Sequence, residues 1–124
     1  MQVSEPRQTD LVERATAFSL RSIKLYRHLD QQERAARRLA DQFLRAATSV
    51  GANLEEARAA ESRRDFAHKH SIALKEGREA LYWLKLFRLA EFVPRDRIDP
   101  LMHEAHELVA ILTALIRTTK RNGL

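Results

Sequence analysis

The sequence predicts an all-α protein, an antiparallel, up-down-up-down, left-handed four-helix bundle. Three observations predict it. Apolar residues recur at alternating spacings of three and four in four separate runs. Three glycines and three prolines are all that punctuate 124 residues, so the elements must be long. The breaks between runs are short and carry helix-capping residue types, which makes chain neighbours pack antiparallel.

The first helix, near 10–29, places Leu11, Ala15, Phe18, Ser22, Leu25 and Leu29 on one seam. The second, near 31–59, does so with Ala36, Ala40, Phe43, Ala47, Val50, Leu54 and Ala57. Asp30 and Glu33 before it resemble a capping box, with Asp30 as N-cap and Glu33 three positions on. The third, near 63–92, aligns Phe66, His70, Ala73, Gly77, Ala80, Leu84 and Phe87. Ser62 and Asp65 form a looser capping box at its start, and Pro94 closes it. The fourth, near 97–120, aligns Ile98, Leu101, Ala105, Leu108, Leu112, Leu115 and Thr119. Asp99 before Pro100 supplies an N-cap followed by proline at the first helical position, with Asp96 as an alternative start. Each seam has the rhythm of left-handed bundle packing. The four helices make one domain, 1–124.

A turn near residue 60 makes facing positions of the second and third helices sum to about 120. Phe43 then faces Gly77, Ala36 faces Leu84, Ala47 faces Ala73, Ala40 faces Ala80, and Leu54 faces Phe66. Large meets small in the Phe43–Gly77 and Ala36–Leu84 pairs, as close packing requires. A mid-helix glycine costs about 1 kcal/mol against alanine, and Gly77 is expected to make room for Phe43.

Composition narrows the function classes. There is no cysteine, which excludes disulfides, thiolate metal sites and thiol catalysis. The N-terminus lacks the apolar stretch of a signal peptide, and no run approaches the ~18 apolar residues that span a bilayer. A cytoplasmic protein without a membrane partner is expected. The net charge of +5 and pI of about 10.1 favour a polyanionic partner; the plainer reading is solubility.

Metal and catalytic constellations are missing. His103, His106 and Glu107 share one helix face, but no facing helix offers a matching pair. His68 and His70 are the other histidine cluster, and His70 reads as a hydrogen-bonded core residue. Glu55, Glu56, Glu76 and Glu79 have no nucleophile and orienting group beside them. A glycine-rich phosphate loop is absent. No enzyme activity, metal or cofactor is expected. Glu76 and Glu79 share a face with Ile72 and Trp83. They are expected to fix helix register or a subunit contact, or to pair with Arg63 or Arg64.

Basic stripes are the best functional lead. Arg14, Arg21, Lys24 and His28 lie on one side of the first helix, and Arg34, Arg38 and Arg45 line the second. Lys75, Arg78 and Lys85 line the third with Tyr82 between them, and Arg117, Lys120 and Arg121 finish the fourth. Such side chains neutralise phosphates, and Tyr82 can stack on an unpaired base. Glu13, Asp41, Asp65 and Glu104 dilute the stripes; the alternative is a solvated face with internal pairing.

The stretch LYWLKLFRL, residues 81–89, is apolar nearly all round, and such a helix is buried all round. A bundle covers about one stripe per helix, so Leu81, Trp83, Leu86 and Leu89 need further cover. Met102, Val109 and Ile116 form a second stripe on the fourth helix; Val12, Leu20 and Ile23 do so on the first. These residues are candidate contacts of a homo-oligomer. The alternative is a broad core face with scattered exposed leucines.

Residues 49–87 carry a family resemblance. Ser49, Val50, Asn53, Glu56 and Ala57, then Ser62, Asp65 and Phe66, then Ser71, Ile72, Ala73, Glu76 and Glu79 resemble the motif of the bacterial 23S rRNA intervening-sequence proteins. His70 and Gly77 depart from the usual pattern. The resemblance implies a four-helix bundle assembling as a ring, a pentamer. A related bundle is the accessory variability determinant of diversity-generating retroelements, a basic pentamer that works with a reverse transcriptase and nucleic acid. For ordinary members the resemblance implies no established activity. Asn53, Glu56 and Ser62 read as structural, satisfying backbone groups near the end of the second helix. The expected function is therefore non-enzymatic binding of RNA or DNA through basic surfaces of a homo-oligomer. The alternative is an adaptor that docks a protein partner.

Overall fold

The computed structural model describes residues 8–123. They form α1 (Gln8–Leu29), α2 (Arg34–Arg58), α3 (Arg63–Leu89) and α4 (Arg95–Arg121). The four helices build a bundle around one apolar core. α1 and α3 each pack on both α2 and α4, and α1 meets α4 least closely.

The seams are the core. Every seam residue of α1 and α2 is buried. So are those of α3 from His70 to Phe87 and those of α4 from Ile98 to Leu112, while Phe66, Leu115 and Thr119 are half-buried at the bundle's end. Phe43 and Phe87, both fully buried, meet edge to face with centroids 5.6 Å apart. That geometry contributes about 0.5–1.5 kcal/mol beyond area burial.

One of the expected α2–α3 pairs is corrected. Phe43 lies against Phe87, not Gly77. A methyl group at Gly77 would touch Val109 at 3.4 Å and Val50 at 3.8 Å. The sum rule sets Cα atoms level, whereas side chains lean toward the N-terminus of their own helix. Long side chains therefore meet partners further along the facing helix.

Helix ends hold three further corrections. α2 begins at Arg34, not 31, and the capping box does not form. Asp30, Gln31 and Gln32 instead donate their amides to carbonyls of Tyr26, His28 and Leu29, closing the last turn of α1. Glu33 is the N-cap, with no side-chain bond. α4 begins at Arg95 behind Pro94, so Pro100 lies inside the helix rather than at its first position. Pro94 already presets an extended entry, and Arg97 and Ile98 both donate to its carbonyl. α3 ends at Leu89, not 92, because Glu91 takes a left-handed φ of 60°. Phe92 and Glu91 then donate to the carbonyls of Phe87 and Arg88, the two bonds of a Schellman cap. The rings of Phe87 and Phe92, 6.4 Å apart, supply its apolar contact. The N-cap at Ser62 is as expected, its hydroxyl accepting from the Asp65 amide at 3.0 Å.

Two polar residues are buried in the core. The His70 ring places Nδ1 2.8 Å from the Phe66 carbonyl and stacks on the Phe66 ring, as its seam position suggested. The Ser22 hydroxyl is fully buried with no hydrogen-bond partner among the described residues.

Candidate nucleic-acid interface

The basic side chains divide into neutralised and free groups. Arg14 reaches from α1 to Glu104 of α4 and forms an ion pair. Arg45 of α2 donates to Glu76 of α3 at 3.0 Å and also to Glu79. Pairing with Arg63 or Arg64 was one of the roles expected of those carboxylates, beside fixing helix register or a subunit contact. Both arginines begin α3 itself, more than ten residues away, roughly 15 Å or more along the axis. Arg45 stands across the groove, so the register-fixing role fits and the Arg63 or Arg64 pairing does not. Trp83 donates its indole N–H to Glu79 at 3.1 Å. That bond, followed by Arg45, holds the Glu79 carboxyl below the usual carboxylate range despite partial burial. Arg45 in turn is held more firmly protonated by its bond to Glu79.

Arg21 and Lys24 continue the α1 flank beyond Arg14. With Arg97 of α4 they rim a cleft of about 240 Å³ floored by Leu25 and Leu101. None of the three has a carboxylate partner among the described residues. Arg34, Arg37 and Arg38 surround a shallower hollow of about 280 Å³ with Asp30 and Asp41. The Tyr26 hydroxyl donates to Asp41 at 2.9 Å, and this bond raises the phenol above its ordinary range. Lys75, Arg78 and Lys85 are exposed on the outer face of α3. Tyr82 between them is 53% exposed, edge-on to Trp83. Arg117, Lys120 and Arg121 are exposed on α4.

Arg97 and Arg37 escaped the sequence reading. Helical period marks which residues share a face of one helix, but not which faces of two helices close together. The contact between α1 and α4, far apart in sequence, supplies Arg97.

The motif residues sit between α2 and α3. Ser49 donates to the Arg45 carbonyl at 2.7 Å, and Asn53 to the Ser49 carbonyl at 2.8 Å. Both bonds lie inside α2 rather than at its end, where Asn53 was expected to act. Glu56 is exposed, and its carbonyl accepts from the Ala59 amide.

The candidate contact residues are unevenly covered. Leu81, Trp83 and Met102 pack on the protein's own core, and Val12 is buried within it. Val109 packs toward Gly77. Leu86, Ile116 and Ile23 are half-buried. Leu89 and Leu20 stand out, 64% and 63% exposed.

Among the described residues no group of three His, Asp or Glu side chains could hold a metal ion. His103 pairs with Glu107 at 3.3 Å. No helix among the described residues is long and apolar enough to cross a membrane.

Comparison with known proteins places the chain. The profile of the 23S rRNA-intervening sequence proteins matches residues 7–114. The chain belongs to that family. A crystal structure of a protein of unknown function from the S23 ribosomal protein family of Bacteroides thetaiotaomicron is similar to this family member. It shares 33% identity, and the match covers 86% of this chain and 97% of the other with a TM-score of 0.79. No curated protein matches. The motif of residues 49–87 was thus a sound guide to the intervening-sequence family, and the matched region extends it through α1 and most of α4.

Proposed function

We propose that this intervening-sequence protein is a non-enzymatic, homo-oligomeric bundle of the cytoplasm that binds RNA or DNA by neutralising backbone phosphates. The observation that carries the reading is the division among its cations. Arg14, Arg45, Arg58 and Arg88 are paired with carboxylates. Arg21, Lys24, Arg34, Arg38, Lys75, Arg78 and Lys85 are exposed without such partners among the described residues. Unpaired cations on a surface with net charge +5 repel one another and attract polyanions. Tyr82 adds a stacking face.

The bundle runs up-down-up-down with a left-handed twist. Support for the antiparallel order comes from α2 and α3, where Phe43 meets Phe87 while the later Val50 lies beside the earlier Gly77. Subunits join in a ring, a pentamer, through exposed Leu89 and neighbouring Leu86 of α3. A ring repeats each basic patch around an axis and strengthens its field.

A second reading rests on the same exposed apolar side chains. Leu20, Tyr82 and Leu89 would then dock a protein partner, with charge serving solubility. Binding of labelled RNA and DNA, with light scattering of the free protein, separates the two. A monomer that binds neither nucleic acid would leave only the adaptor.

A further inference from the structure

Resting on the nucleic-acid reading above, we propose that the cleft between α1 and α4 seats a backbone phosphodiester held by Arg21, Lys24 and Arg97. The cations come from two helices and converge on one hollow. Like charges so placed destabilise the fold unless an anion lies between them. Elsewhere on the same flank the chain avoids that cost, since Glu104 neutralises Arg14. At the far end of α3, Asp99 likewise takes Arg88 at 2.8 Å. The cleft is left positive.

Its floor and size fit a phosphate. Leu25 and Leu101 are 5% and 4% exposed, so the floor is apolar and weakly screening. The volume of about 240 Å³ is below the ~300–1,000 Å³ of pockets that enclose drug-sized ligands. A phosphate group is small enough to enter it.

Arg97 is also positioned in advance. Its guanidinium lies 3.2 Å from Nδ1 of His28, which accepts from it in the tautomer that carries the ring proton on Nε2. The Gln32 side-chain amide donates to the Phe92 carbonyl at 2.8 Å, tying the α1–α2 turn to the α3–α4 turn. A side chain held in its working position loses less entropy on binding.

The test compares wild type with the triple variant Arg21→Gln, Lys24→Gln, Arg97→Gln. A control triple of equal charge change, Arg63→Gln, Arg64→Gln, Lys69→Gln, lies at the start of α3. Anisotropy of a labelled single-stranded RNA and of its DNA counterpart is read across a salt series. The cleft triple is expected to weaken binding at least ~10-fold and to flatten the salt slope by about 0.7, the share of the one single-strand phosphate contact that the cleft holds. The control should lose much less. Arg21→Lys with Arg97→Lys should keep most of the binding. Equal losses in both triples, or none in the cleft triple, overturn the cleft while leaving the nucleic-acid reading intact. A wild type that binds neither probe overturns both. Circular dichroism checks each fold, and single Arg97→Gln replaces the triple if that melts early.

Discussion

The indole N–H of Trp83 and the guanidinium of Arg45 converge on one oxygen, Oε2 of Glu79. The indole is one turn away on the same helix, and the guanidinium comes from the facing one. Both bonds favour the ionised carboxylate, so Glu79 in the folded protein titrates below its ordinary 4.5. The unfolded chain then binds the proton more readily in acid, and stability rises with pH there. The contribution is complete above the unfolded value and is lost as pH falls through the lowered folded one. Glu79→Gln should flatten the acid limb of stability in urea unfolding between neutral and acid pH. Superimposable profiles for variant and wild type would contradict the network.

Glu91 pays for the Schellman cap of α3 with a left-handed backbone, φ 60°. A side chain there costs roughly 1–2 kcal/mol that glycine avoids. Glu91→Gly should therefore raise stability by about 1 kcal/mol. Loss of stability in chemical unfolding would mean the Glu91 side chain has a role of its own.

Gly77 has room for a methyl group but little more, with Val109 and Val50 around it. Gly77→Ala should gain up to ~1 kcal/mol of helix propensity, moderated by the close contact with Val109. Gly77→Leu should lose about 1–3 kcal/mol by overpacking. Thermal unfolding of the pair checks both signs, and equal effects from the two would contradict the packing.

Ser22 buries a hydroxyl without a hydrogen bond. Removing such a group recovers part of its desolvation penalty of ~1–3 kcal/mol. Ser22→Ala should stabilise by about 1 kcal/mol, partly offset by the small void left by the oxygen. A destabilised variant in urea unfolding would show that the hydroxyl is satisfied after all.

The seams were legible because burial follows the helical period directly, from Leu11 on α1 to Leu112 on α4. The family motif was legible too, through Ser49, Asn53 and the Ser62 cap. Helix starts were less so. Asp30 has the right chemistry for a cap, but its amide is drawn into the end of α1. Pro100 has the right chemistry for a first turn, but Pro94 starts the helix earlier. The partner of Glu79 and the place of Arg97 both depend on how one helix faces another, and no periodicity within a helix encodes that.

The central claim is that the unpaired cations bind nucleic acid. Its most direct test is anisotropy of a labelled single-stranded RNA and a matched DNA duplex with wild-type protein, from ~50 to 200 mM salt, where counterion release shows its slope. The account predicts sub-micromolar binding to at least one probe, weakening steadily with salt. No binding at the lowest salt would contradict it.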